Sequence, residues 1–181
     1  MEPLRLFETS EPKLEFGNGL RARLRLVHGS NPLLAHLPDL EPRSEPLGAL
    51  VVEAGLVTPA DLAWALEEAA ERRRRLGEIL IAEEFVSRED LVRLLAEQRG
   101  MPYVDLTKVE LDPDAARLLP ASTARLFRTL PLGFARGLPV VAIADPTDEL
   151  ALARTRSFVD GARFVASSDD QIARRLDSLG I

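Results

Sequence analysis

The chain has no cysteine among its 181 residues. That excludes disulfides, thiolate metal sites and a cysteine nucleophile. Histidine is nearly as scarce: His28 and His36 lie in an early, linker-like stretch without a Glu-x-x-His partner, and read as surface side chains rather than ligands. Lysine occurs only at Lys13 and Lys108, neither within a G-x-x-x-x-G-K-[ST] sequence, so a Walker-type phosphate loop is absent. No apolar run approaches the roughly 20 residues needed to cross a bilayer. The first residues also lack the basic and apolar regions of a signal peptide, so a soluble, cytoplasmic chain is expected. A net charge of −6 supplies no basic field for a nucleic-acid polymer. No pair of acidic residues is placed by spacing into a catalytic site. The expectation is a protein that is not an enzyme, with no metal and no cofactor.

What the chain does have is a repeat. Pro46 to Ala69 reads PLGALVVEAGLVTPADLAWALEEA and Arg75 to Gln98 reads RLGEILIAEEFVSREDLVRLLAEQ, one phrase at a period of 29 residues. Leu47-Gly48 aligns with Leu76-Gly77, Thr58 with Ser87, Asp61 with Asp90, Leu62 with Leu91 and Leu66 with Leu95. Each copy opens with an apolar helical run and breaks near Gly55 or Glu84. It restarts at Thr58-Pro59-Ala60-Asp61 or Ser87-Arg88-Glu89-Asp90, where a hydroxyl caps the next helix and the aspartate at the third position can reach back to the cap amide. Pro59 suits the first helical position. Leu62, Ala65, Leu66 and Leu91, Leu94, Leu95 recur at three and four residues, so each second helix has one inward stripe. Two such helical hairpins make a four-helix array.

The rest of the chain follows from its punctuation. Residues 1–44 form an extension. Leu20 to Leu26 alternates with Arg21, Arg23 and Arg25 beyond Gly17-Asn18-Gly19, which suggests a β-hairpin, although the same leucines suit a short helix. The arginine face fits a partner or a phosphate as well as simple solvation. Asn31 to Glu45, with its prolines, reads as a linker. Residues 45–106 hold the repeats. Residues 107–181 read as a small α/β subdomain. There Asp112-Pro113 starts a helix through Leu119, and Ser122 or Thr123 caps another. Thr129 to Phe134 and Leu138 to Ala144 are strands joined through Ala135-Arg136-Gly137. A helix from Thr147 to about Val159, a strand from Arg163 to Ala166 and a helix capped by Ser168 complete it. Val141 sits in what should be the most buried strand. Asp145-Pro146 closes that strand, at the kind of strand end where ligands bind in α/β folds, and aspartate before proline is equally an ordinary turn. The fold class is α+β.

The opening RLG and the closing glutamine of the second copy resemble the tandem motifs of the MshEN domain. That is the N-terminal module of type II secretion and type IV pilus assembly ATPases, also fused to some bacterial glycosyltransferases. The likeness continues through Gln98-Arg99-Gly100-Met101-Pro102, Asp105-Leu106, Leu130 to Gly133 and the Ala144-Asp145-Pro146 turn. It implies binding of cyclic di-GMP by the two motifs together. On that reading Arg75, Leu76, Gly77, Leu91, Leu95 and Gln98 form the complete half of the site. Leu47, Gly48, Leu62 and Leu66 form the other half.

The residue types fit that chemistry. A guanidinium stacks on a purine or forks onto a phosphate. Gly77 admits close backbone approach, leucines wall the base and ribose, and Gln98 offers both donor and acceptor. The first motif, however, has Pro46 where arginine is expected and Ala69 where glutamine is expected. Losing two such contacts, each worth roughly 1.5 to 3 kcal/mol, weakens binding by roughly two to four orders of magnitude. Arg43, three residues before Pro46, is either a substitute or a solvated side chain. Two functions therefore compete: a weak cyclic di-GMP switch controlling a secretion or pilus ATPase, its membrane platform or a glycosyltransferase, and an interaction adaptor that keeps the fold without the nucleotide.

Overall fold

The computed structural model describes residues 32–180. The alternating Leu20 to Leu26 stretch, the arginine face and His28 lie outside the described residues. A short helix α1 (Pro32–Ala35) is followed by two helical hairpins, α2 (Leu47–Glu53) with α3 (Pro59–Glu71) and α4 (Leu76–Ala82) with α5 (Arg88–Gln98). The starts of α2 and α4, and of α3 and α5, are offset by the sequence period. The caps repeat as well: Thr58 Oγ1 accepts from the Asp61 amide at 3.2 Å and Ser87 Oγ from the Asp90 amide at 3.0 Å. The aspartates do not reach the cap amides as expected. Each instead accepts the cap hydroxyl proton at 2.6 Å, because aspartate is one methylene shorter than the glutamate that closes a full capping box.

Both first helices end in the same six-to-one turn. Leu56 N donates to Val51 O at 3.0 Å and Phe85 N to Leu80 O at 2.9 Å. The turn needs a left-handed residue. Gly55 supplies it at φ 68°, while its counterpart Glu84 adopts φ 58° with a side chain in place. Leu50, Val51, Val57, Ala65, Ile79, Leu80, Val86, Leu91 and Leu94 form the buried core of this array.

The α/β part contains α6 (Pro113–Ala116), α7 (Ala121–Phe127), β1 (Thr129–Ala135), β2 (Leu138–Ile143), α8 (Glu149–Phe158), β3 (Arg163–Ala166) and α9 (Asp169–Ser178). β2 is the central strand, antiparallel to β1 and parallel to β3. Val140, Val141, Ala142 and Ile143 expose no surface, though Leu130 and Leu132 of β1 are equally buried. The alternation of the strand splits them between two cores: Val140 and Ala142 pack with α9, Val141 and Ile143 with α8.

Three boundaries differ from expectation. α6 is one turn long and does not run to Leu119. α7 begins directly after Pro120, whose fixed φ of −58° starts it, so neither Ser122 nor Thr123 is the cap. Thr147 does not open α8: it bonds Asp145, and Asp148 caps the helix through the Ala151 amide at 2.9 Å.

The proline-rich stretch is docked, not a free linker. Leu34 and Leu37 are buried in the core that α9 closes. Arg163 Nη2 then donates to Leu37 O at 3.1 Å, Pro38 O at 2.6 Å and Asp39 Oδ1 at 2.7 Å. The chain next crosses Gly100, where an added Cβ would lie 2.7 Å from Leu40 O and 2.8 Å from Pro42 N. This strap thus runs from the α/β core to the first repeat. The two parts also meet where Arg93 stacks 3.9 Å over Tyr103, and where Val104 N and Ala166 N join the exit strand to β3. No described helix is long and apolar enough to cross a membrane.

Candidate functional site

The conserved period places the two Leu-Gly pairs at the first turns of α2 and α4, and the fold brings them face to face. A methyl group on Gly77 would lie 3.7 Å from Leu47 Cδ2, and one on Gly48 would lie 3.7 Å from Leu76 Cδ2. The contact is reciprocal, so the repeats meet across an approximate twofold. Each glycine also receives the leucine of its own second helix. The same construction puts Leu62 Cδ1 at 3.3 Å from Gly48 and Leu91 Cδ2 at 3.0 Å from Gly77. Close packing of helix on helix therefore accounts for both glycines without a ligand.

Arg75 occupies the N-cap of α4 with φ −70° and ψ 144°, and Pro46 holds the equivalent place with φ −67° and ψ 152°. The backbone there accepts either residue. The Arg75 side chain is 78% exposed, and its nearest acid is Asp145, with Nη1 4.0 Å from Oδ2. The other oxygen of Asp145 accepts from Thr147 N at 2.8 Å and Thr147 Oγ1 at 2.6 Å. Asp145 is thus the turn former expected from its proline, and it also faces the motif arginine from the end of β2. The Ala-Asp-Pro sequence at a strand end was the available signal for that second role.

The remaining expected residues separate into two groups. Leu62 and Leu66 border an open apolar cleft of about 520 Å³ between α2 and α3, floored by Gly48, Ala49 and Val52. Leu91 is buried and Leu95 half-buried in the helical core, so the second repeat has no matching greasy wall for a base. Gln98 donates its amide to Glu45 O at 2.7 Å, holding the chain just before Pro46. Its counterpart Ala69 is packed into the core and offers no such bond at the entry to α4. The apolar surface lies on the first repeat, and the free cation on the second.

Arg43 neither replaces the missing arginine nor points freely into solvent. It bonds Glu53 at 2.6 Å, Glu97 at 2.8 Å and Glu45 at 3.4 Å, tying the strap to α2 and α5. These carboxylates, Glu97 foremost, hold its pKa above the ordinary arginine value. Glu45 in turn is held below the usual glutamate value, first by its own backbone amide and then by Arg43. Among the described residues no three or more histidine or acidic side chains converge as a metal would require.

Comparison with known proteins agrees with this architecture. The sequence profile of the MshEN domain family matches residues 99–180. A solved structure of MshE with cdg is 36% identical, with a TM-score of 0.67, and the match covers 75% of this chain and 99% of that one. The N-terminal domain of XpsE shares the fold at 22% identity and a TM-score of 0.54, over 72% of this chain and 91% of that domain. The type IV pilus assembly ATPase PilB of Thermus thermophilus is 35% identical over 108 residues, which is 59% of this chain and 12% of the relative. Bacteriophage adsorption protein B of Escherichia coli K12 is 30% identical over 132 residues, 72% of this chain and 18% of that protein. The chain thus spans under a fifth of the length of these two relatives.

Proposed function

The chain belongs to the MshEN domain family, and on that premise we propose that its duplicated array binds cyclic di-GMP weakly and relays its level to a pilus or secretion ATPase or a glycosyltransferase. The observation that carries this reading is the reciprocal seam of Leu47 on Gly77 and Leu76 on Gly48, with the exposed Arg75 beside it. Cyclic di-GMP is itself twofold: two guanosines joined by two phosphodiesters. A twofold ligand matches an approximately twofold seam. The MshE relative is described with cdg, the abbreviation of this nucleotide, which supports the same ligand.

The roles follow from the geometry. Arg75 is held by a single 4.0 Å contact to Asp145, a weak exposed pair that a phosphate can displace. Leu62 and Leu66 offer the apolar face of the first half, and Leu47, Gly48, Leu76 and Gly77 the seam. Gln98 acts from behind, through the carbonyl of Glu45 at the entry to the first motif. Leu91 and Leu95 support α4 from beneath. Pro46 and Ala69 leave half of the ligand without a polar anchor, which makes binding weak. The chain contributes no catalysis of its own in this reading. Its partner supplies the ATPase or transferase chemistry, and the domain works in the cytoplasm.

Calorimetric titration with cyclic di-GMP tests the assignment. The native chain should give a weak saturable isotherm that Arg75→Ala removes. Equal affinity in the two proteins would contradict the role of Arg75, since an exposed side chain can be truncated without disturbing the fold.

A further inference from the structure

The two repeats differ in what covers them. In the second repeat, α5 packs its outer face against the α/β part: Ala96 is buried, Val92 half-buried, and Arg93 lies on Tyr103. The residues one period earlier are Glu67, Ala63 and Trp64 on α3, and nothing in the chain covers them. Trp64 is 40% and Leu66 48% exposed, although large apolar side chains are costly to leave in water. They border the cleft whose floor is Gly48, Ala49 and Val52, small enough for a third helix to lie between α2 and α3.

The charge beside the cleft selects among helices. Glu67 follows Leu66 on the flank of α3, and Glu71 lies one turn beyond. Neither carboxylate has an ion pair among the described residues, whereas the nearby Glu68, Glu78 and Glu83 are each paired to Arg72 or Arg74. At the equivalent place in the covered repeat stands Ala96, not an acid. The bare face therefore carries negative charge that the chain's own α/β part does not meet.

We propose that the cleft between α2 and α3 is a docking site for an amphipathic helix of a partner protein, with its apolar stripe flanked by lysine or arginine. The apolar stripe fills the space over Val52, Leu62 and Leu66, and the basic flank pairs with Glu67 and Glu71. This reading does not depend on nucleotide binding.

Trp64 is the sole tryptophan of the chain and so reports on this face directly. The probe is a synthetic leucine-lysine amphipathic peptide of about 14 residues, about four helical turns, with a leucine-glutamate peptide of the same pattern as its counterpart. The lysine peptide should shift Trp64 emission to the blue and saturate at one peptide per chain. The glutamate peptide should bind at least about tenfold more weakly at low salt. Glu67→Lys combined with Glu71→Lys should reverse that preference. Leu66→Glu separates docking from general attraction of a cation to an acidic protein, because it adds negative charge while spoiling the apolar stripe. Docking predicts weaker binding of the lysine peptide to this variant. Stronger or unchanged binding, equal affinity for both peptides, or no saturable shift in the native chain would overturn the proposal.

Discussion

Replacing Gly100 by alanine tests the docking of the proline-rich strap, because the added methyl group meets two separate penalties there. The first is conformational. Gly100 sits at φ 64°, where an L side chain costs about 1 kcal/mol or somewhat more. The second is steric: the new Cβ would lie 2.7 Å from Leu40 O and 2.8 Å from Pro42 N, backbone atoms that cannot rotate aside. Overpacking of this kind costs roughly 1 to 3 kcal/mol. Gly55→Ala isolates the first penalty, since Gly55 has φ 68° and no heavy atom near its missing Cβ. Gly55→Ala should therefore lose about 1 kcal/mol, and Gly100→Ala about 2 to 4 kcal/mol. At roughly 2 to 4 °C per kcal/mol for a domain of this size, the second variant should melt several degrees below the first. Urea denaturation of the three proteins measures the difference. Hydrogen exchange of residues 36–46 should also rise in Gly100→Ala alone. A Gly100→Ala protein no less stable than Gly55→Ala would refute the docked strap.

Two further outcomes follow from the same geometry. Glu84→Gly should stabilise the chain by about 0.5 to 1 kcal/mol in urea, because it relieves a left-handed side chain at the place where the first repeat already has glycine; lower stability would mean that the Glu84 side chain makes a compensating contact. Val141→Asp should unfold the α/β part, since Val141 exposes no surface and an unpaired carboxylate there costs several kcal/mol. A cooperative melt unchanged from the native chain would contradict the placement of β2.

The helical array was legible because its signals are local and doubled. Thr58 and Ser87 cap their helices where the period places them, and a left-handed residue recurs at positions 55 and 84. The strands were legible from apolar runs and from the Arg136-Gly137 turn, where both residues adopt positive φ. The strap was not. Its prolines announce extended chain, but only the assembled core shows that Leu34 and Leu37 have a place in it, and only the path over Gly100 explains that glycine. Arg43 and Gln98 were misjudged for the same reason: their partners Glu97 and Glu45 lie more than fifty residues away in sequence. Leu91 looked like ligand wall from its spacing, yet the methyl-sized gap at Gly77 draws it inward.

The central claim is that the first motif kept its packing and lost its polar anchors, and restoring them tests it most directly. Pro46→Arg places a guanidinium on a backbone that already has the conformation of Arg75. Ala69→Gln adds the partner of Gln98, and Pro46→Arg alone serves if the buried Ala69 does not tolerate the larger side chain. Calorimetry with cyclic di-GMP should show at least about tenfold tighter binding in the restored protein than in the native chain, equal to about 1.4 kcal/mol or more. A correctly folded restored protein that binds no better than the native chain, or not at all, would contradict the account.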